Sequence, residues 1–313
     1  MPENASPHLV RLLGAFVAVA VGMGLISAGL LMPLAGASGS AARGTVNAFD
    51  NLDGEFTAVS LAQQSKIYSA DNKLLATPYD ANRIIVPMKQ ISKNMINAQL
   101  AIEDSRFYEH GGIDLRGTSR AFFQNLSSDS TQGGSSITQQ YVKNVLIEDA
   151  NRRGDKLGVA AAREPTNERK LREAKLAIAI EDRMTKLEIL ESYLNIAQFG
   201  ISVYGVEAAA GYYFGTTAEK LTPVQAATIA GITKSPGKYD PERNPENAEA
   251  RRNIVLREMY TQGYISKAEY DDARGQKIAD TLKITPTKRN CEAAGGAAYF
   301  CDYVTKVILS DEA

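Results

Sequence analysis

Residues 101 to 117, AIEDSRFYEHGGIDLRG, set two adjacent carboxylates, Glu103 and Asp104, behind an apolar run and ahead of Phe107, His110 and two glycines. A glutamate that ends an apolar helix and is shielded from water has its charged form disfavoured. Its pKa rises towards neutrality, which suits proton transfer. The plain alternative is a helix-end carboxylate bonded to a backbone amide or to a cation such as Arg106, because charged side chains are mostly solvated. His110, one of only two histidines in the chain, reads by itself as a structural residue.

Two further stretches carry chemistry. GGSSITQQYVKN, residues 133 to 144, follows paired glycines with Ser135, Thr138, Gln139 and Gln140 and closes on Lys143. Glycines let a backbone approach a ligand closely, and these hydroxyls and amides can bond sugar hydroxyls or phosphate oxygens. A glycine turn capping a polar helix explains the same pattern. Further on, ERKLREAKLAIAIEDRM sets Arg169 and Glu173 four apart with Lys170 between them, so cations and one carboxylate share a helix side. That is either salt-bridge lacing or a pair of cations holding a diphosphate through charge-assisted hydrogen bonds. The S-x-x-K at Ser235 to Lys238 lies in a Pro-Gly turn without an S-D-N or K-T-G partner, so it reads as a loop and not as an acyl-transfer nucleophile.

The elements that must position these residues are mostly helical. Ile91, Met95, Ala98 and Ile102 fall on one face of an amphipathic helix that delivers Glu103 at its C-terminal end. Capping boxes at Thr185/Glu188, Thr222/Gln225 and Ser266/Glu269 mark three further helix starts. Ahead of them, SKIYSADNKLLATPYDANRIIVPM reads as a short β-hairpin turning at Asp71-Asn72, then a third strand. At 313 residues and 44% hydrophobic the chain can bury a large core, and a net charge of −1 gives no global reason to expect nucleic acid.

Residues 12 to 34 carry no charge and are long enough as a helix to cross a hydrocarbon layer of roughly 30 Å. A cleaved secretory signal is the rival, but its apolar region usually runs only about 7 to 15 residues. A retained single-pass anchor within residues 1–36 is therefore expected, with the N-terminus cytoplasmic by the charge of Arg11 and everything after Gly36 outside. A polar, small-residue linker fills 37–64. Outside the membrane, Cys291 and Cys301 read as a disulfide in preference to a metal site, provided their Cα atoms come within about 7 Å.

Five blocks in order, EDSRFYEHGG, GGSSITQQ, RKLRE, KLEILESYLNIAQFG and AAAGYYFG, resemble those of the family 51 glycosyltransferases, the peptidoglycan polymerase domains of class A penicillin-binding proteins. The resemblance spans about Ser65 to Asp272, with Ser136 where the family usually has threonine. It implies a mainly α, lysozyme-like glycosyltransferase domain over 65–285 with a small jaw lobe against the membrane, preceded by the anchor and the hairpin. Residues 286–313 then resemble a linker towards a transpeptidase domain. The resemblance implies that Glu103 is the general base on a lipid II acceptor. Glu173, with Arg169, Lys170 and Lys143, is implied to stabilise the departing undecaprenyl diphosphate, with a divalent cation (Mg or Mn) at the diphosphate and no organic cofactor. Asp104, Phe107, His110, Ser135, Gln139 and Gln140 are implied to shape the substrate site. A phosphate-binding arginine is expected at Arg152 or Arg153. Implied partners are lipid II, the growing lipid-linked glycan, the membrane, moenomycin-type inhibitors and other cell-wall synthesis proteins. Two other readings remain beside it: a lysozyme-like hydrolase or lytic transglycosylase, which needs one glutamate but no cation set, and a non-catalytic membrane-tethered scaffold.

Overall fold

The computed structural model describes residues 60–114, 116–117, 134–287 and 291–310. The expected anchor at 12–34, most of the linker and Gly133 lie outside the described residues. Among the described residues, no helix is long and apolar enough to cross a membrane.

The fold is mainly helical. A hairpin of β1 (Ile67–Tyr68) and β2 (Leu74–Ala76) turns at Asn72, whose φ of 60° is the left-handed value that asparagine tolerates. The third expected strand, β3 (Asn82–Arg83), does not join the hairpin. It pairs in parallel with the distant β4 (Val203–Tyr204), so this stretch belongs to the main body.

Helix α1 (Lys93–Glu103) starts one residue after Ser92, whose side chain accepts from the Met95 amide, and buries Met95 and Ala98 as the spacing requires. Ile91 is buried just ahead of the helix. Helices α2 (Ile137–Arg152), α3 (Lys156–Arg163), α4 (Asn167–Glu181) and α5 (Lys186–Ile196) follow, then α6 (Val206–Phe214), α7 (Pro223–Ile232) and α8 (Pro245–Thr261). The three expected capping boxes start α5, α7 and α9 (Lys267–Gly275). A fourth, Ser136 with Gln139, starts α2.

Helix α7 is apolar all round, and every residue from Ala226 to Ile232 is buried, as a helix at the centre of a bundle must be. It packs against α1 on one side and α8 on the other, while α2 packs against α3, α4 and α5. One core runs through both groups. After α10 (Ile278–Thr281), Cys291 and Cys301 are bonded with Cα atoms 5.7 Å apart, and helix α11 (Ala298–Leu309) follows. The bridge sits with Ala76 of β2 in a small separate cluster.

A buried ion pair fastens the entering chain to this bundle. The fork of Arg83 meets both carboxylate oxygens of Glu148 at 3.0 Å, and Nη1 also donates to the Ala62 carbonyl at 2.7 Å. The Ala62 amide returns a bond to Glu148 at 3.2 Å. Satisfying both ends is what makes such a pair tolerable away from water.

Gly112 shows how tightly the loop after α1 lies on α4. A Cβ there would fall 2.4 Å from the Ala177 carbonyl carbon, which is backbone and cannot swing aside. Gly112→Ala is therefore expected to lower the unfolding free energy by about 1–3 kcal/mol, the usual cost of overpacking. Urea titration of the two proteins tests this, and equal midpoints would refute the close approach.

Candidate active site

Glu103 ends α1 at the edge of a cleft of about 410 Å³, with its side chain 15% exposed. Its oxygens find partners from three other elements. Gln140 Nε2 of α2 donates to Oε2 at 2.8 Å, and the Thr233 hydroxyl, just after α7, lies 3.1 Å from Oε1. Arg251 Nη2 of α8 stands 3.7 Å from Oε1. These partners are held in turn. Tyr193 of α5 donates its hydroxyl to Gln140 Oε1 at 3.0 Å, and Gln99, one turn before Glu103, donates to the Tyr193 oxygen at 3.1 Å and approaches the Thr233 hydroxyl at 3.5 Å. Burial raises the Glu103 pKa above its ordinary value, against the pull of Gln140, Arg251, Thr233 and Lys234. A carboxylate in that position is ready to accept a proton.

The rest of the cleft is cationic. Lys143 of α2, Arg163 of α3, Lys170 of α4 and Lys234 line it, beside Glu103, Glu148 and Glu173. Glu148 is already taken by Arg83 and Glu173 by Arg169, with Lys170 Nζ 3.2 Å from the second Glu173 oxygen. Lys170 also donates to the Ser135 hydroxyl at 2.7 Å. Burial pushes the Lys143 pKa down, and the charges of Arg169, Lys170 and Arg163 add to that fall. Like charges held together this way form a site that an anion would relieve.

Several sequence expectations change place. Asp104, Phe107 and His110 do not line the cleft; they brace it. Asp104 accepts from the Ile137 amide at 3.1 Å, and its other oxygen lies 2.8 Å from His110 Nε2, which ties the loop after α1 to the N-terminus of α2. A carboxylate is favoured at that helix end. Phe107 is buried under the Lys186 ammonium, 4.4 Å above its ring. Arg106 does not reach Glu103; it pairs with Asp114. Gln139 borders the cleft, and its Oε1 is engaged by the Ser136 amide in the capping box. The Ser136 hydroxyl accepts from the Gln139 amide and donates to the Gly112 carbonyl at 2.6 Å, uses that any hydroxyl at this position can serve.

Arg169 is also displaced from the cleft wall. Its Nη1 is committed to Glu173 and its Nε to the Glu164 carbonyl, so it holds the glutamate in place. Neither Arg152 nor Arg153 reaches the cleft: the first bonds the Ser60 carbonyl and the second pairs with Asp149. The arginine that does is Arg163, from a stretch that matches none of the five blocks. Thr233, Lys234, Tyr193, Gln99 and Arg251 were not singled out by sequence. Two of them offered a signal there: Gln99 precedes Glu103 by four residues on one helix face, and Tyr193 lies in the fourth block, KLEILESYLNIAQFG.

A resident divalent cation finds no cage on the cationic wall, because Glu173 and Glu148 are both bound to arginines. Among the described residues, the group able to converge ligand atoms within 4.8 Å is Asp104, His110 and Asp114, and its carboxylates already serve Ile137, Arg106 and Gly117.

The glutamate facing a cationic wall, delivered by five sequence blocks in order, coincides with a family match. The family model described as transglycosylase covers residues 71–260, and the chain belongs to that family. Among curated relatives, penicillin-binding protein 1A of Escherichia coli (strain K12) is 42% identical over 221 residues, which is 70% of this chain and 24% of that protein. Penicillin-binding protein 1A of Streptococcus pneumoniae (strain ATCC BAA-255 / R6) is 37% identical over 244 residues, 78% of this chain and 32% of that protein. A crystal structure of penicillin-binding protein 1A from Haemophilus influenzae matches with a TM-score of 0.40 at 25% identity, over 80% of this chain and 24% of that one. The chain thus spans from about a quarter to a third of the length of these relatives.

The raised Glu103 pKa has a thermodynamic consequence. A group whose folded pKa lies above its unfolded value stabilises the fold at low pH, and that contribution is lost as pH rises through the folded pKa. Wild type should therefore lose stability relative to Glu103→Gln as pH climbs above the ordinary glutamate value of 4.5. Denaturant titrations of both proteins from acid to neutral pH check this; a difference that stays flat would mean Glu103 is not desolvated.

Proposed function

We propose that this chain is a peptidoglycan glycosyltransferase that polymerises lipid II into β-1,4-linked glycan, anchored by residues 12–34 with its catalytic domain outside the membrane. The lysozyme-like head carries the chemistry and a smaller jaw lobe lies against the membrane. The observation that supports this reading best is the pairing of one shielded, hydrogen-bonded carboxylate with a cleft whose cations outnumber its free carboxylates.

Glu103 takes the proton from the 4-hydroxyl of the acceptor lipid II. The freed oxygen attacks the anomeric carbon of the lipid-linked donor glycan and forms the new C–O bond. The bond from that carbon to the diphosphate oxygen breaks with inversion, α to β, and undecaprenyl diphosphate departs with the electron pair. Negative charge then grows on the leaving group, where Lys143, Lys170 and Arg163 stand ready to stabilise it. Glu173, held by Arg169, fixes the Lys170 ammonium in place. A hydrolase acting on neutral glycan has no use for this cation set, and neither has a scaffold for a buried base.

Glu103→Gln should reduce polymer formation from lipid II by at least about 100-fold, the low end for general acid-base catalysis, while lipid II still binds. Lys170→Ala should lower turnover by about 2–4 kcal/mol, the range for losing one preorganised stabilising group, and should weaken binding of the phosphoglycolipid moenomycin. Gel analysis of polymer, run beside an assay on preformed peptidoglycan, decides between the classes. Cleavage of the preformed glycan that ignores Lys170, with no polymer from lipid II, would establish a hydrolase.

A further inference from the structure

Arg251 lies eight-percent exposed on α8, and nothing about folding alone explains it. Its stem passes over Gly231 of α7, where a Cβ would stand 3.1 Å from Arg251 Cγ, so the neighbouring helix leaves room for the side chain to reach inward. Its Nε is buried without a hydrogen-bond partner, and burial depresses its pKa. The carboxylate within ion-pair distance is Glu103, at 3.7 Å. That separation is too long for a good hydrogen bond but short enough for strong Coulomb attraction between shielded charges.

We propose that Arg251 is a positioning residue for Glu103: from behind the cleft it supplies the buried positive charge against which the carboxylate stays ionised and aimed at the acceptor hydroxyl. This rests on the reading of Glu103 as the base.

The division of labour follows from the contacts. Gln140 and Thr233 are neutral donors, which fix the two oxygens but bring no net charge. Tyr193, from α5, faces Glu103 with its own pKa raised by burial and by the Glu103 charge, so it stays protonated. Lys234 is exposed, and water screens its pull. Lys143 stands on the cationic wall of the same cleft. Tyr239 and Glu258 face Arg251, and the Tyr239 ring centre is 6.0 Å from the guanidinium. Arg251 is thus the shielded cation on the base, and its pull on the Glu103 pKa exceeds that of Lys234. An arginine suits the position because it remains charged where a buried lysine tends to lose its proton.

The test compares wild type, Arg251→Gln and Arg251→Lys in the full-length protein. In Arg251→Gln the acid limb of the pH–rate profile for lipid II polymerisation should move up by about one unit, as expected when an opposite charge at this range is removed. At neutral pH kcat should fall with KM little changed, and raising the pH should recover part of the loss. Arg251→Lys should show a smaller shift in the same direction, and it carries the test where the glutamine variant fails to fold. A second readout does not need activity. The pH at which Glu103→Gln changes stability should be higher in an Arg251→Lys or Arg251→Gln background than in wild type. An acid limb and a stability titration that both stay in place would overturn the proposal. Glu103→Gln with normal activity would remove the base assignment instead, while the stability titration would still report whether Arg251 and Glu103 are coupled.

Discussion

A carboxylate taken out of water must find its hydrogen bonds in the protein, and the placement of four helices follows from what Glu103 needs. The residue comes from α1, its fixed donors from α2 and the end of α7, and its counter-charge from α8. Helix α7, buried from Ala226 to Ile232, packs against both α1 and α8, which also pack against each other, so Glu103 and Arg251 meet. Tyr193 and Gln99 brace Gln140, while the single Thr233 hydroxyl hydrogen is shared between Glu103 and the Ala230 carbonyl at 2.8 Å. Holding these donors matters because an unpaired polar group at this depth costs about 1–3 kcal/mol.

The facing wall obeys the opposite rule. Lys143, Arg163, Lys170 and Lys234 share a small volume, and the carboxylates that could neutralise them are engaged by arginines. Burial first, and then repulsion from Arg169, Lys170 and Arg163, lower the Lys143 pKa against the pull of Glu173, which is a stability penalty carried by the free protein. A bound polyphosphate would remove it, so affinity for such a ligand includes the release of this repulsion and should weaken as salt screens it. One wall is satisfied before substrate arrives and the other is satisfied by substrate.

Much of this was legible in the sequence. The apolar spacing ahead of Glu103 and three of the capping boxes fixed helix positions, because both are local signals a few residues long. Glu103, Gln140, Lys143, Lys170 and Glu173 meet in the cleft as expected from their blocks. What was hidden is non-local. Arg251 and Thr233 lie more than a hundred residues from Glu103, and no period or cap brings them together on paper. Asp104, Phe107 and His110 come from the same block as Glu103 but brace the cleft without lining it, and in a sequence rigidity near a site looks the same as membership of it. Arg169 honours the i, i+4 spacing to Glu173 and, paired in that way, is not among the residues that line the cleft.

The same contrast bears on how the site forms. Lys170 and Glu173 are neighbours on α4, and their wall is assembled largely from α2, α3 and α4, which follow one another along the chain. The base side needs contacts between residues 103 and 233 and between 103 and 251. Closing such long loops costs chain entropy before the contacts return any free energy. The local helices therefore have the means to form early, whereas Glu103 meets its partners only when α7 and α8 dock. A docked α8 is also what brings Arg251 to the carboxylate. Completion of the fold and readiness of the base thus depend on one packing event, because the burial that raises the Glu103 pKa and the partners that aim its carboxylate arrive together.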